Sequence, residues 1–83
     1  MKTISTKYFS ATATKPSRVK ATEYESQKSV TLSYDYGVNL NENHKAVATA
    51  LLRKLGWEGR MIGGHTGTGM VFVFDADLYT IEA

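Results

Sequence analysis

The stretch that decides the fold is NLNENHKAVATALLRKLGW, residues 39–57. Asn39 is a favoured N-cap residue, and Glu42 stands three positions later, where its carboxylate can reach back to the cap and favours the positive end of a helix. Two basic residues occupy the last turn, Gly56 suits the left-handed position that ends a helix, and Trp57 suits the apolar position after it. These signals predict one α-helix that is closed at both ends.

One face of this helix is predicted to be apolar and to face the core. Helical spacing places five apolar residues on that stripe: Leu40, Val47, Ala50, Leu51 and Leu55. His44 lies at the edge of the stripe, so we expect a partly buried, hydrogen-bonded imidazole. Trp57 is expected to belong to the core, because a domain of this size needs its large apolar side chains there.

The segments before the helix carry strand patterns. Residues 3–11 are rich in Thr, Ser, Tyr and Phe, which favour a strand through Tyr8 and Phe9. Residues 17–23 alternate, with Val19 on one face and Lys20 on the other, and residues 29–36 alternate in the same way. About five polar residues separate these two runs, which predicts a hairpin.

The segments after the helix are predicted to form two more strands. Residues 58–62 favour a short strand, and GGHTGTG, residues 63–69, favours a hairpin loop because it is rich in glycine. MVFVF, residues 70–74, is apolar on both faces, so we expect it to be the most buried strand. In the tail, residues 75–83, the apolar side chains Leu78, Tyr79 and Ile81 either dock the segment or leave it mobile.

Together these elements predict an α+β fold, an antiparallel sheet of four to five strands with one helix packed on one face. The order is strands, helix, then two strands, in a single small domain over residues 1–83, with residues 1–16 and 75–83 placed at the periphery. The chain has no cysteine, no run of 18 apolar residues and no signal-peptide pattern at its start. We therefore expect a soluble cytoplasmic protein without disulfides.

Positive charge is concentrated at the start of the chain. The net charge is +2, yet the first 20 residues contain five Lys or Arg residues and no acid. One interpretation is nucleic-acid binding, and another is an edge strand that uses lysine to prevent pairing. The second is favoured, because charges so widely spaced do not make a dense patch. The candidate nucleic-acid contacts, in which basic and aromatic residues are interleaved, are Lys7, Tyr8, Arg18, Lys20 and Arg60.

The glycine-rich segment is the second candidate site. Its residues are Gly63, Gly64, His65, Thr66, Gly67, Thr68 and Gly69. Phosphate-binding loops place glycines between a strand and a helix, whereas this segment leads into a strand and no GK[ST] follows. A hairpin tip is therefore favoured over nucleotide binding, although its glycines would let another backbone approach closely.

No catalytic or metal-binding constellation is evident in the sequence. His44 and His65 are the only histidines, and the nearest acids lack the spacing of metal ligands. No nucleophile is paired with a base in a pattern that the sequence can justify. We therefore expect neither an enzyme nor a cofactor.

Four segments resemble a known family: SRVKAT, VTLSYDYGVN, NENHKAVATALLRKLGW and GRMIGGHTGTGMVFVF. They are similar to a family of small uncharacterised proteins that tailed bacteriophages and related mobile elements encode. The most specific marks are Asn43-His44, Leu55-Gly56-Trp57 and Gly63-Gly64. The resemblance covers residues 17–74 and implies a phage accessory protein that acts in the cytoplasm of a bacterial host. It implies no catalytic residues.

Three functions follow from these observations. The first is binding of a host or phage protein, for instance to inhibit a host defence protein. The second is nucleic-acid binding by the basic N-terminal strands, and the third is binding of a small molecule or nucleotide at residues 63–69. The first ranks slightly above the second. The sequence leaves the oligomeric state open, a small homo-oligomer included.

Overall fold

Five antiparallel strands form one sheet, and a single helix packs across one of its faces. The structure is a computed structural model that describes residues 2–77, 81 and 82. In chain order the elements are β1 (Thr3–Phe9), β2 (Arg18–Glu23), β3 (Ser29–Ser33), α1 (Leu40–Leu55), β4 (Met61–His65), β5 (Gly69–Phe74) and a 3-10 turn at Asp75–Asp77. The α+β prediction is confirmed.

The strand order across the sheet is β3-β2-β1-β5-β4, so the first strand in the chain is the central one. Residues 1–16 were expected at the periphery of the domain. Thr3–Phe9 instead pairs with β2 on one side and with β5 on the other. The expectation that MVFVF is the most buried strand holds only in part, since β5 has no exposed residue but fewer fully buried residues than β2. In β5 only Met70 and Phe72 are buried, because the helix covers one face of the sheet alone.

Alternation along the strands separates the helix face of the sheet from its outer face. The buried apolar residues on the helix face are Ile4, Val19, Ala21, Met70 and Phe72. From the helix they meet Val47, Ala48 and Leu51. The predicted alternation of residues 17–23 is confirmed, since Val19 faces the helix and Lys20 lies on the outer face.

The helix begins and ends with the predicted caps. The Asn39 side chain accepts a hydrogen bond from the N–H of Glu42 at 2.9 Å. At the other end Gly56 adopts φ 70°, which is the left-handed conformation. Its N–H donates to the Arg53 carbonyl, and the Trp57 N–H donates to the Leu52 carbonyl, both at 3.1 Å. This is the Schellman pattern of helix termination.

The buried stripe of the helix differs from the predicted one. Its members are Asn43, His44, Val47, Ala48 and Leu51. Leu40 has the helical spacing of the apolar stripe, but it belongs to the first turn and its side chain is 47% exposed. There the polar side chain of Asn43, rather than an apolar one, makes the contact with the preceding loop.

Asn43 holds the loop between β3 and the helix. Its Nδ2 donates to the Asp35 carbonyl at 2.9 Å, and its Oδ1 accepts from the Asp35 N–H at 2.7 Å. These bonds draw the chain away from the sheet. The predicted strand over residues 29–36 therefore ends at Ser33, and the Tyr34 N–H makes a last bond to the Ser17 carbonyl at 3.0 Å.

The predicted loop at residues 63–69 is largely strand. Gly63, Gly64 and His65 belong to β4, and Gly69 opens β5. Gly63 is a strand residue because the Phe72 ring lies directly over it from the paired strand and fills the place of a side chain. The turn itself is limited to residues 66–68.

Of the tail, the structure describes the 3-10 turn at Asp75–Asp77 and residues 81 and 82. Leu78 and Tyr79 lie outside the described residues, and Ile81 is 94% exposed. In the part of the chain that the structure describes, no helix is both long enough and apolar enough to cross a membrane.

His44 ties the helix to the central strand through a buried hydrogen bond. Its Nδ1 lies 2.8 Å from Thr6 Oγ1, and that hydroxyl oxygen also accepts the Met70 N–H at 3.0 Å. Burial lowers the pKa of His44, and repulsion from His65 lowers it further. At neutral pH the imidazole is thus uncharged, and its tautomer decides whether Nδ1 accepts the Thr6 hydroxyl proton or donates to that oxygen, whose own proton can then go to the Met70 carbonyl at 3.3 Å.

We expect this site to make the fold less stable in mild acid. The unfolded chain takes up a proton on His44 below pH ~6.5, whereas the folded chain resists protonation down to its lower pKa, so the free energy of unfolding falls as the pH drops through that window. Urea unfolding at a series of pH values measures the effect. The control His65→Gln should keep most of the dependence, and a curve that is flat between pH 7.5 and 5.5 would contradict the prediction.

Candidate functional site

The outer face of the sheet carries the most distinctive chemistry of the molecule. None of the strand residues that face outward is acidic, and three of them are basic: Lys7, Arg18 and Lys20. Serine and threonine surround them on β1, β2 and β3. This half of the face therefore has uncompensated positive charge, and the structure brings together three of the five predicted nucleic-acid contacts.

Two of these cations stand directly opposite each other. Lys7 on β1 pairs with Lys20 on β2, and both side chains are exposed. Opposite residues in an antiparallel pair have their Cβ atoms about 5 Å apart, where like charges destabilise the sheet. An anion bound between them would remove that repulsion.

The Phe9 ring contacts two members of the basic cluster, which consists of Lys7, Arg18 and Lys20. The Lys7 Nζ lies 5.2 Å from its ring centroid, and the Arg18 Cζ lies 4.9 Å from it. Such cation–π contacts orient the two cations without neutralising them. The buried Arg18 Nη1 has no hydrogen-bond partner among the described residues. The guanidinium thus retains donor capacity.

A groove of about 360 Å³ runs over this part of the outer face. We call it the basic groove, and its lining residues are Ser5, Thr6, Lys7, Phe9, Lys20, Thr22, Thr66 and Thr68. The two predicted sites thus meet, because the turn between β4 and β5 contributes its threonines to a groove whose floor is β1 and β2. Hydroxyl groups beside ammonium groups form a surface suited to an anion.

The turn that borders the basic groove is held by its own hydrogen bonds. Thr66 Oγ1 accepts the N–H of Gly69 at 3.0 Å, and the Thr66 N–H donates to the Gly69 carbonyl at 2.9 Å. Of the seven residues predicted to form a binding loop, Thr66 and Thr68 line the groove. Gly64 lies in β4, on the outer face, with open space where a side chain would stand.

Two predicted contacts lie elsewhere. Tyr8 faces the helix side, where its ring packs edge-on against Tyr34 at 5.2 Å and its hydroxyl donates to Ser17 Oγ at 3.2 Å. Arg60 lies before β4 and lines a separate groove together with the acids Glu58 and Asp75. Neither residue joins the basic cluster.

Phe9 is the aromatic residue that the sequence analysis missed. Strand alternation puts residues 7 and 9 on one face and residue 8 on the other. Since Lys7 carries a charge and must face water, the same rule assigns Phe9 to the outer face and Tyr8 to the core. The signal was present in the sequence.

The other half of the outer face is apolar. Ile62, Val71 and Val73 lie side by side on β4 and β5, and Ile62 is 38% exposed. Gly64, beside Val71, leaves the backbone bare. A basic half and an apolar half therefore share one open surface, which a macromolecule can reach.

Among the described residues, no group of three or more His, Cys, Asp or Glu side chains is arranged to hold a metal ion. Comparisons with protein-family models, with curated proteins and with solved structures found no match to this chain. We therefore infer function from the chemistry of the outer face.

Proposed function

We propose that this protein binds single-stranded nucleic acid across the outer face of its sheet. The observation that carries the proposal is the cluster of Lys7, Lys20 and Arg18 on a strand surface that has no acid. Phosphate groups neutralise such a cluster and release their counterions, which drives binding at low salt. The hydroxyls in the basic groove add donors for phosphate oxygens.

The shape of the surface favours one strand over a duplex. The opposed lysines lie on neighbouring strands, so the charged strip is about 5 Å wide, which suits a single phosphate backbone. Sheets hold single strands with cations beside planar groups on which bases stack. Here the Arg18 guanidinium over the Phe9 ring supplies the planar group.

The test is the affinity for a fluorescent single-stranded oligonucleotide as a function of salt. The double variant Lys7→Gln/Lys20→Gln should bind about tenfold more weakly at low salt, and the slope of log K against log salt should fall in magnitude by about 1.4, or 0.7 for each lost contact. The matched control is Lys45→Gln/Arg53→Gln, which removes the same charge from the exposed side of the helix.

Three results would contradict the proposal. They are undetectable binding of single strands by the wild type at low salt, an equal loss of affinity in the control, and tighter binding of duplex than of single strands. The first removes the function itself. The second shows that net charge rather than the basic groove governs affinity, and the third reverses the choice of ligand.

A second candidate function is the binding of a host or phage protein through the same face. The observation in its favour is the apolar half formed by Ile62, Val71 and Val73, since protein interfaces combine an apolar centre with a polar rim. The resemblance to phage accessory proteins also supports it. In that setting the chain would act in the cytoplasm of a bacterial host, for instance by occluding the surface of a defence protein.

The two candidates differ in which half of the face they need. A protein captured from bacterial lysate by the wild type should be lost with Ile62→Asp and kept with Lys7→Gln/Lys20→Gln if the apolar half is the interface. If capture depends on the lysines alone and is abolished by nuclease, the result contradicts a protein partner. It would favour nucleic-acid binding by this surface.

A further inference from the structure

The strand β3 forms one border of the sheet and has an open backbone edge. The Tyr34 N–H donates to the Ser17 carbonyl, and the Glu23 N–H donates to the Lys28 carbonyl, so the even-numbered residues of this strand bond to β2. In an antiparallel ladder the alternate residues point the other way. The N–H and C=O groups of Ser29, Thr31 and Ser33 therefore face the free edge.

This edge lacks the features that prevent strands from pairing. Natural edge strands carry lysine, proline or a bulge, whereas SVTLS is uncharged and regular. The lysines predicted to protect an edge lie instead on the inner strands β1 and β2, where they protect none. At one end of β3 the Lys54 Nζ donates to the Ser29 carbonyl at 3.0 Å. Thr31 and Ser33 are exposed.

Apolar side chains lie beside the same edge on the helix side. Leu32 is 37% exposed and Val38 is 44% exposed. Both line a groove of about 320 Å³ between β3 and the start of the helix, and Ala46 lines it from the helix. Pairing of another strand with β3 would place side chains next to this groove.

We propose that the occupant of this edge is a second copy of the same chain, which pairs its own β3 antiparallel to the first about a two-fold axis at Thr31. In this register Thr31 faces its own copy, and Ser29 faces the second copy's Ser33. The outward N–H and C=O groups of these three residues then face groups of opposite kind on the second copy, and the Ser29 carbonyl keeps a second lone pair beside its bond from Lys54. Val30 meets the second copy's Leu32 on the helix side, so the exposed leucine is covered.

A second copy suits the edge in charge as well as in register. The strand has no charged residue, so no like charges meet across the axis. Lys20 lies one strand away from β3, so the two copies of this lysine are three strand spacings, or about 14 Å, apart. That exceeds the screening length of about 8 Å at physiological salt, so their repulsion is weak.

The pairing joins the two sheets and places both basic grooves on one side. A five-residue strand pair buries less than the roughly 1,200 Å² of a stable interface, so self-association is weak on its own. One polyanion that spans both grooves would strengthen it. This strengthening rests on the function proposed above, whereas the pairing itself does not.

The first experiment is disulfide trapping, since the chain has no cysteine of its own. In the proposed register the two copies of Thr31 have their Cα atoms about 5.5 Å apart, within the range of a disulfide. The two copies of Ser33 are about 14 Å apart. Under mild oxidation the Thr31→Cys variant should therefore form dimers on the order of tenfold faster than its matched control, Ser33→Cys.

The second experiment is sedimentation of the chain without cysteine, with and without a long oligonucleotide. Thr31→Pro removes an N–H that faces the free edge and leaves the ladder to β2 intact, so it should fold yet lose self-association, whereas Thr31→Ala should keep it. Equal trapping at both positions, or unchanged association of Thr31→Pro, would overturn the proposal. So would a wild type that stays monomeric under every condition, which would leave the edge to a different protein.

Discussion

Replacing Leu51 by alanine is expected to lower the free energy of unfolding by about 2–5 kcal/mol. The side chain is fully buried at the centre of the core, and alanine leaves a cavity that the helix and sheet cannot close. A domain of this length has a total stability of roughly 4–12 kcal/mol, so the variant would lose a large fraction of it. Urea denaturation followed by circular dichroism measures the loss.

The control is a second leucine of the same helix. Leu40→Ala removes the same atoms from a side chain that is 47% exposed, and alanine favours a helix slightly more than leucine does. Its effect should stay within about 0.5 kcal/mol. A loss for Leu40→Ala as large as that for Leu51→Ala would show that the buried stripe is placed wrongly.

Replacing Gly69 by alanine is expected to cost about 3 kcal/mol or more. A Cβ at this position would meet the backbone carbonyl of Thr6 in the central strand, and neither strand can move without breaking the ladder between β1 and β5. The added methyl group therefore forces apart two strands at the middle of the sheet. Thermal unfolding would report the loss as a lower Tm.

Gly67 provides the matched comparison, two residues away in the same hairpin. An added Cβ there meets no atom within 4 Å, and the backbone is not left-handed. Gly67→Ala should therefore be neutral, or stabilise the fold by about 0.4–1 kcal/mol through the unfolded chain. Equal effects of the two substitutions would contradict the close approach at Gly69.

Sequence reasoning predicted those parts of the fold that local chemistry determines. The caps of the helix at Asn39 and Gly56 depend on residues a few positions apart, and both are as expected. The alternation around Val19 likewise assigned the two faces of β2. Each of these features is encoded within a single element.

Features that depend on distant residues were harder to predict. Gly63 belongs to a glycine-rich segment that predicts a loop. Its place in a strand depends on the Phe72 ring of the neighbouring strand, which lies over it. His44 was expected at the edge of the core, but its side chain is buried and bonded to Thr6, 38 residues away. Pairing between strands supplies this information, and a single sequence does not display it.

In the candidate site, too, local features were predicted and features that depend on strand pairing were not. Lys7, Arg18 and Lys20 were predicted from local composition, but their convergence follows from the register of β1 with β2. The contribution of Thr66 and Thr68 requires β5 to lie on the other side of β1. Tyr8 was preferred to Phe9 because the alternation rule was not applied through to the end of the strand.

The central position of β1 has a consequence for synthesis of the protein. The strand Thr3–Phe9 is made before the other strands of the sheet, yet one of its two neighbours is Gly69–Phe74, which is made about sixty residues later. Contacts this distant along the chain are slow to form. Until β5 arrives, the nascent sheet ends at an unpaired β1 edge that exposes Ile4 and the rest of the unfinished core. The sheet therefore closes only after β5 has been translated.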